Sequence, residues 1–314
     1  MKGLLSKLPK PFFVLAPMDD VTDTAFRRIV HSCAPADLYM TEFANADGLQ
    51  SPGRKAVMKK LKFYEQEHPL IAQIWGAKPE NFEKTAREAM DMGFIGVDLN
   101  MGCPVKNVVK QGLCSGLIQN RDLADKLIRA TQKGAGKPNV SIKTRLGVKS
   151  YDESWVRFLL GYEPVMLTMH FRSIKDMSKV PAKWELASEL VRLRNEISPD
   201  TLLVGNGDVE SRQQGEELAK KHGIDGIMVG RGIFKDPYLF AKNTPWESIG
   251  AKERKQLFAK HIKLFKKEWE GQKNPALLKK FAKVYINGFD GAKDLREQLM
   301  HTDSIDELLE KLLE

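Results

Sequence analysis

The chain has 314 residues and carries 50 lysine and arginine residues against 41 acidic ones, which gives a formal net charge of +9. Hydrophobic residues make up 42% of the chain and charged residues 29%, proportions that argue against a disordered, collagenous or disulfide-stapled protein. The length allows one large domain, or one large and one small domain. The positive charge favours nucleic acid or an anionic membrane surface as a partner.

The cysteines and the N-terminus narrow the class of protein further. The three cysteines, Cys33, Cys103 and Cys114, include no C-x-x-C pair and so predict neither a disulfide framework nor a structural zinc site. The apolar run near the N-terminus, at 12–16, is far shorter than a signal-peptide core or the about 20 residues that span a membrane. We therefore expect a cytoplasmic protein with no metal and no membrane partner.

From residue 12 onward, short β-rich runs alternate with longer helical patterns, the order expected of βα units on a parallel sheet. Pro79 is typical of a first helical turn, and Gly134 and Gly223 are typical of helix ends. Strands are predicted at 12–16, 38–41, 70–74, 95–100, 140–144, 165–170, 202–206 and 226–230. Helices are predicted between them at 22–32, 79–92, 117–133, 184–197 and 210–222.

The number of strands, and the length of chain that holds them, predict an α/β protein with a closed (β/α)8 barrel, the TIM barrel. That fold typically needs about 250 residues. A doubly wound open sheet is the alternative. It is less favoured because no G-x-G-x-x-G motif follows the first strand and the chain has no P-loop motif.

After Trp246 the strand pattern ends, and helices are predicted at 251–271, 275–287, 292–301 and 304–313. Residues 250–300 contain 13 basic and 6 acidic residues, whereas the last residues of the chain are acidic. We interpret residues 1–245 as the barrel and residues 246–314 as a small, basic, all-helical domain. The alternative is an amphipathic bundle whose lysines only face water.

Polar side chains recur at the carboxyl ends of five predicted strands. Side chains alternate along a strand, and the outward face of a barrel strand meets apolar helices, so the mixed polar face is expected to point inward. Active sites of these barrels lie at the carboxyl ends of the strands. Each side chain alone has a structural explanation, but together they predict a functional site: Gln73, Asn100, Lys143, His170 and Asn206.

The last two predicted strands run into glycine-containing turns, GNGD at 205–208 and VGRG at 229–232. Loops after the seventh and eighth strands of such barrels frequently bind phosphate through backbone N–H groups. Arg231 can add a bidentate contact to the same group. We therefore expect a phosphorylated ligand.

With Cys103 added to these features, the pattern resembles one family, the flavin-dependent tRNA-dihydrouridine synthases. The resemblance extends over nearly the whole chain, and the combination of its motifs makes it specific. The matching segments are APMDDVTDTAFRR (16–28), AQIWG (72–76), DLNMGCPVKNVVKQG (98–112), IKTRLG (142–147), GNGDV (205–209), VGRGIFKDP (229–237) and KKFAKVYINGFDGAKDLRE (279–297).

The resemblance implies FMN at the mouth of the barrel, NADPH or NADH as the reductant, and tRNA as the substrate, gripped in part by the helical domain. We expect a monomer. By the family pattern Cys103 is the proton donor, Asn100 contacts the target base, and Arg145 and Arg172 lie on the substrate side. The positions implied to bind FMN are Pro17, Met18, Asp19, Gln73, Lys143, His170, Asn206, Gly207, Asp208, Gly230 and Arg231.

These residue types suit the reduction of the 5,6 double bond of uracil, which needs a hydride at one carbon and a proton at the other. No side chain donates a hydride, so a cofactor must supply it. Lys143 beside the flavin would stabilise the anionic reduced ring. An ordinary cysteine is protonated at pH 7, so Cys103 can act as an acid. A stacked uracil must also be swung out of the RNA, at a cost of a few kcal/mol.

The chain departs from the family pattern at a few places. Phe171 is bulkier than usual, the segment 173–184 matches loosely, and the lysines at 279–280 stand in a changed tail motif. Cys114, in a modified glycine-rich run, is expected to play no part.

Two other functions stay open at this stage. One is a flavin barrel that reduces a free small molecule, similar to dihydropyrimidine dehydrogenase. The other is a non-catalytic RNA-binding protein on a decayed barrel. The basic tail favours an RNA enzyme over the first, and flavin binding would separate an enzyme from the second.

Overall fold

A computed structural model describes residues 1–314, and its strands form one parallel sheet. They are β1 (Phe12–Leu15), β2 (Leu38–Met40), β3 (Ala44–Asn45), β4 (Leu70–Trp75), β5 (Gly96–Met101), β6 (Val140–Arg145), β7 (Met166–His170), β8 (Leu202–Asn206) and β9 (Gly226–Val229). The ring closes where β2 pairs with β4, so eight strands make the barrel and β3 is a short addition beside β4. The predicted TIM barrel is confirmed.

Helices surround the barrel and continue after it. They span Lys2–Leu5, Thr24–Cys33, Ala46–Leu49, Arg54–Met58, Pro79–Asp91, Lys106–Lys110, Arg121–Ala135, Glu153–Leu160, Ala187–Ile197, Arg212–His222, Ala251–Trp269, Ala276–Lys279, Ala282–Tyr285, Ala292–Met300 and Ile305–Leu313. All five helices predicted between strands are present. The single helix predicted at 275–287 is two short helices, separated by a turn in which Phe281 packs its ring 5.1 Å from that of Phe26. No helix is both long and apolar enough to cross a membrane.

The prediction that Gly134 ends a helix is wrong. Gly134 lies inside the helix Arg121–Ala135, which ends at Gly136 with a φ of 82°. A Cβ on Gly134 would lie 2.2 Å from the carbonyl oxygen of Glu83 on the neighbouring helix. Glycine is therefore needed here because two helix backbones approach closely. Gly223 does end its helix, with a φ of 72°, as predicted.

The interior of the barrel is apolar towards the amino ends of the strands. Alternate residues of the strands point inward and pack into one cluster, as the period of two requires. Their neighbours along each strand, such as Phe13 and Leu15, pack outward against the helices. Burying one of these large side chains contributes roughly 1.5–3 kcal/mol. The inner cluster includes Phe12, Val14, Leu38, Met40, Ile71, Met166, Val204 and Met228 from the strands, and Val165 just before β7.

The helices after residue 246 share their apolar core with the helices that cover the barrel. Phe26, on the first barrel helix, packs 5.6 Å from the ring of His261 in the helix Ala251–Trp269. The Arg28 guanidinium also lies 2.9 Å from the carboxylate of buried Glu268. The boundary at 245/246 stays a prediction, and removing the tail would expose this shared apolar surface.

Candidate active site

The strand register brings the predicted polar side chains to one edge of the barrel. Asn100 of β5 lies opposite Lys143 of β6, and Arg145 lies opposite His170 of β7. His170 in turn lies opposite Asn206 of β8. Because all the strands are parallel, these residues end their strands side by side, at the carboxyl edge where such barrels carry their sites.

A cavity of about 460 Å³ opens at this edge. Nine of the eleven residues implied to bind FMN line it: Pro17, Met18, Lys143, His170, Asn206, Gly207, Asp208, Gly230 and Arg231. The predicted substrate-side residue Arg172 lines it too, whereas Asp19 and Gln73 do not. Six further residues line the cavity that were not predicted from the sequence, and most of them adjoin predicted ones: Ala16, Val209, Glu210, Met228, Gly232 and Lys235.

The cavity has an excess of positive charge. Its two acidic residues are both paired, Asp208 with Arg172, and Glu210 with Lys235 at 2.6 Å. Two cations on the lining therefore have no acidic partner within 4 Å, and these are Lys143 and Arg231. This arrangement favours an anionic ligand.

Burial and neighbouring charges tune the groups on the cavity wall. Burial, and then the charge of Arg145, lowers the pKa of Lys143 to about 8. The Lys143 ammonium donates to Oδ1 of Asn206 at 3.3 Å. Burial, followed by the cations at Lys143 and Arg145, holds the pKa of His170 well below its ordinary value. The imidazole is therefore neutral at pH 7 and can offer one donor and one acceptor.

Beside the cavity, polar side chains of β4, β5 and β6 bond to one another. Gln73 donates to Asp98 at 2.8 Å, and Ser141 donates to the same carboxylate at 2.6 Å. Burial raises the pKa of Asp98 to about 6, although the hydrogen bonds from Ser141 and Gln73 oppose the rise. Asn100 donates to Oε1 of Gln73 at 3.1 Å. Gln73 is thus engaged below the rim, bonded to two neighbours rather than facing the cavity.

Asn100 also holds the loop that carries Cys103. Its Oδ1 accepts hydrogen bonds from the backbone N–H of Gly102 at 3.1 Å and of Cys103 at 3.0 Å. The Cys103 carbonyl accepts from the Ser115 hydroxyl at 2.8 Å. The Cys103 thiol is half-buried and does not line the cavity itself. The network below the rim therefore fixes the backbone from which this thiol projects.

The Cys103 thiol is not an ordinary one. A hydrogen bond with the Cys114 thiol, opposed by burial, lowers the pKa of Cys103 to about 6. The same contact, with burial, raises the pKa of Cys114 well above its usual value. Two thiols in contact share a proton, so the first proton leaves more easily and the second less easily. Sequence reasoning treated Cys103 as unperturbed and Cys114 as uninvolved, and it missed this contact.

The two predicted substrate-side arginines bond to other residues of the protein. Arg145 is buried and donates to the carbonyl of Gly102 at 2.7 Å and to that of Met177 at 3.1 Å. Arg172 is also buried and contacts the carboxylate of Asp208, which occupies a left-handed backbone conformation with a φ of 53°. Both guanidinium groups therefore fix loops of the rim, and a direct contact to substrate stays a prediction.

Asp19 is exposed and faces away from the cavity, towards an acidic cluster. The carboxylates of Asp19, Asp20 and Glu42 lie within 4.8 Å of one another, a grouping that could hold a metal ion. The Lys60 ammonium contacts all three carboxylates. Lys273, from the tail, lies 3.2 Å from the fully buried Glu42. Ammonium groups thus neutralise this cluster and tie the tail to the barrel rim.

The bulky Phe171 does not fill the cavity. Its ring is buried and packs 4.7 Å from the ring of Trp184. Trp184 donates from its indole N–H to the carbonyl of Gly207 at 2.8 Å. The departure at Phe171 therefore supports one of the glycine turns from behind and leaves the cavity open.

Comparisons with known proteins identify the family of the chain. Residues 14–314 match the model of the dihydrouridine synthase (Dus) family. A probable tRNA-dihydrouridine synthase of Staphylococcus aureus (strain Mu50 / ATCC 700699) is 48% identical over 306 residues, 96% of this chain and 92% of that protein. Probable tRNA-dihydrouridine synthase 2 of Bacillus subtilis (strain 168) is 45% identical over 306 residues, 96% of this chain and 93% of that protein.

Among solved structures, morphinone reductase is similar, with a TM-score of 0.54 over 75% of this chain and 86% of that one. At 15% identity this likeness concerns the fold alone.

Proposed function

The chain belongs to the dihydrouridine synthase family, and from that membership we propose that it is a tRNA-dihydrouridine synthase. In this proposal the enzyme reduces the 5,6 double bond of a uridine in tRNA to 5,6-dihydrouridine. The observation that carries the proposal is the family match over residues 14–314, which includes both the barrel and the basic tail.

The residues of the cavity fit FMN. A volume of about 460 Å³ is within the range of small-molecule sites. Lys143 and Arg231, the cations without acidic partners, match a ligand that carries a phosphate. The turns at 205–208 and 229–232 adjoin the same space, and backbone turns of this kind bind phosphate. When bound, FMN reduced by NADPH or NADH supplies the hydride that no side chain can.

We assign the proton to the pair formed by Cys103 and Cys114. Since the pKa of Cys103 is lowered to about 6 and that of Cys114 is raised, the pair keeps one proton through the neutral range. At neutral pH this proton rests on Cys114, and it passes to Cys103 before Cys103 donates it. Cys103 is the less buried of the two, so it is the group that delivers the proton to the uracil ring.

The phosphates of the RNA require cations that are not already paired inside the protein. On the helix Ala251–Trp269, Lys260, Lys263 and Lys267 are exposed, make no ion pair within 4 Å and line one shallow groove. Their spacing places them on one face of the helix. We assign them to the tRNA backbone, a contact that positions the RNA without reading its sequence.

The proposal is tested by mapping dihydrouridine in the tRNA of a strain that lacks this gene. We expect at least one dihydrouridine to be replaced by uridine, detected by mass spectrometry as a nucleoside lighter by two hydrogen atoms, and restored by the wild-type gene. If every dihydrouridine persisted in tRNA and no other RNA lost one, the proposal would be wrong. A protein that binds FMN and oxidises NADPH only with a free small molecule would point to the other enzyme class.

A further inference from the structure

The loop that follows β5 brings two cysteines of this chain together. The segment after Cys103 returns through the short helix Lys106–Lys110, and Ser115 then donates to the Cys103 carbonyl from both its N–H, at 3.4 Å, and its hydroxyl, at 2.8 Å. This clamp holds Cys114, the residue before Ser115, beside Cys103.

The backbone at Cys114 is unusual for a residue with a side chain. Its φ is 49°, in the left-handed region that favours glycine. A side chain there is strained, because its Cβ comes too close to the following carbonyl oxygen. Between Cys103 and Ser115, Cys114 is the one residue with a side chain in this conformation, and an outlier of this kind points to a functional constraint.

The two sulfurs differ in their access to solvent. Cys103 is half-buried on the rim loop, whereas Cys114 is only 2% exposed. A small oxidant can therefore meet Cys103 but not Cys114. The remaining cysteine, Cys33, is half-buried, has no thiol neighbour, and its pKa is raised by burial to about 11. Cys33 is thus a built-in control for the reactivity of an isolated thiol.

We propose that Cys103 and Cys114 are a redox-active pair that closes to an intramolecular disulfide when the protein meets hydrogen peroxide. Cys103 is oxidised first, and Cys114 resolves the product. The Ser115 clamp already makes Cys103 and Cys114 neighbours, so the change requires only a local movement of the loop between them.

The chemistry balances in two steps. The Cys103 thiolate attacks one peroxide oxygen, the O–O bond breaks, hydroxide leaves, and Cys103 becomes a sulfenic acid. Cys114 then gives up its proton and attacks the Cys103 sulfur, and hydroxide leaves that sulfur and is protonated to water. Overall two thiols lose two electrons and two protons, and one hydrogen peroxide becomes two waters. The lowered pKa of Cys103 supplies the thiolate at neutral pH.

The disulfide does not depend on the proposed RNA reaction, but its effect on turnover does. If Cys103 is the proton donor, the oxidised pair carries no transferable proton and the enzyme stops until a thiol reductant reopens the bond. A family member with this pair would therefore be reversibly inactivated by peroxide, whereas irreversible oxidation of Cys103 would be prevented.

The test treats the purified full-length protein with hydrogen peroxide and measures its mass and its peptides. We expect the intact protein to lose two hydrogen atoms, and dithiothreitol to restore them. Trypsin cuts between the cysteines at Lys106 and Lys110, so Cys103 and Cys114 fall in the separate peptides 88–106 and 111–121. These peptides should be linked before reduction, while the Cys33 peptide stays unmodified.

The variant Cys114→Gly supplies the matched comparison, because glycine accepts the left-handed backbone at this position. In this variant Cys103 should gain one or more oxygen atoms and form no link. Alkylation of Cys103 by iodoacetamide at pH 7 should be at least about 10-fold faster than that of Cys33 in the wild type, and slower in Cys114→Gly.

The wild-type measurement alone can overturn the proposal, whether or not the variant folds. The proposal would be contradicted if Cys103 gained oxygen without linking to Cys114. It would also be contradicted if Cys103 stayed unmodified at a peroxide dose that oxidises exposed methionines. A Cys103 link to Cys33, or a disulfide between two copies of the chain, would contradict it as well. None of these readouts uses RNA, so a failure here is separate from a failure of the proposed function.

Discussion

Two parts of the barrel rim lie side by side and differ in what their polar side chains bond to. Around the ends of β7–β9, Arg231 lines an open cavity without an acidic partner, and Lys143 of β6 joins it there. Around β4 and β5, Gln73, Asp98 and Asn100 bond to one another and to the Cys103 loop. We call the first the open side and the second the closed side.

The two sides can therefore serve different purposes. On the open side the cations still have donors to offer to a ligand, which is what binding requires. On the closed side the donors and acceptors are satisfied internally, so their effect on chemistry must pass through the position of Cys103. The same residue type serves both purposes: Asn206 lines the cavity, while Asn100 holds a loop.

The largest expected effect comes from Cys103→Ala, on the closed side. Removing a general acid typically costs about 10²–10⁴-fold in rate. We expect single-turnover reduction of uridine in tRNA to fall by this factor while FMN content stays normal. Cys33→Ala is the matched control and should turn over like the wild type. Full activity in Cys103→Ala would refute the acid assignment.

The pair Asn100→Ala and Asn206→Ala tests the distinction between the sides directly. Asn100→Ala removes the acceptor for two N–H groups of the Cys103 loop, so the rate of reduction should fall at least about 10-fold with FMN affinity nearly unchanged. Asn206→Ala should instead weaken FMN binding by about 10-fold, the value of one hydrogen bond. Fluorescence titration and single-turnover kinetics measure the two quantities. Equal loss of FMN affinity in both variants would erase the distinction.

The exposed lysines of the helix Ala251–Trp269 should affect RNA binding alone. Replacing Lys260, Lys263 and Lys267 by glutamine should reduce the slope of log affinity against log salt by about 3 and leave FMN binding unchanged. The comparison uses three exposed, unpaired lysines on the barrel helices, replaced in the same way: Lys84, Lys126 and Lys220. If this second triple variant changed the slope equally, the tail would have no special role. The tail itself is kept intact in both, because it shares its core with the barrel.

The smallest expected effect is a pH dependence of FMN binding. The pKa of Lys143 is lowered to about 8 by burial, so its charge is present below that pH and lost above it. An anionic ligand binds the charged form better, so FMN affinity should fall several-fold between pH 7 and pH 9. Lys143→Arg keeps its charge over this range and should show a flat profile. A wild-type profile as flat as that of the arginine variant would contradict the assignment of Lys143.

Much of the fold and of the open side could be predicted from the sequence, because both depend on local periodicity. The alternation along VSIKT placed Lys143 inward, and the glycine turns marked the lining at Gly207 and Gly230. Parallel strands bring such residues together without further information.

The contact of Cys103 with Cys114 and the contacts of the tail could not be predicted, because they depend on the path of loops. Cys114 meets Cys103 only because the segment between them folds back, and nothing in its spacing signals that return. Lys273 reaches Glu42 across 231 positions of sequence. Glycine is common at helix ends, but Gly134 lies inside a helix because the backbone carbonyl of Glu83 on the neighbouring helix leaves no room for a Cβ.

The activity can be measured with the purified protein, FMN, NADPH and tRNA transcripts that contain no modified nucleosides. The proposed function predicts that the transcript gains two hydrogen atoms at one or more uridines, that the gain requires NADPH, and that Cys103→Ala nearly abolishes it. Transcripts that stay unchanged while the FMN-loaded protein oxidises NADPH would contradict it.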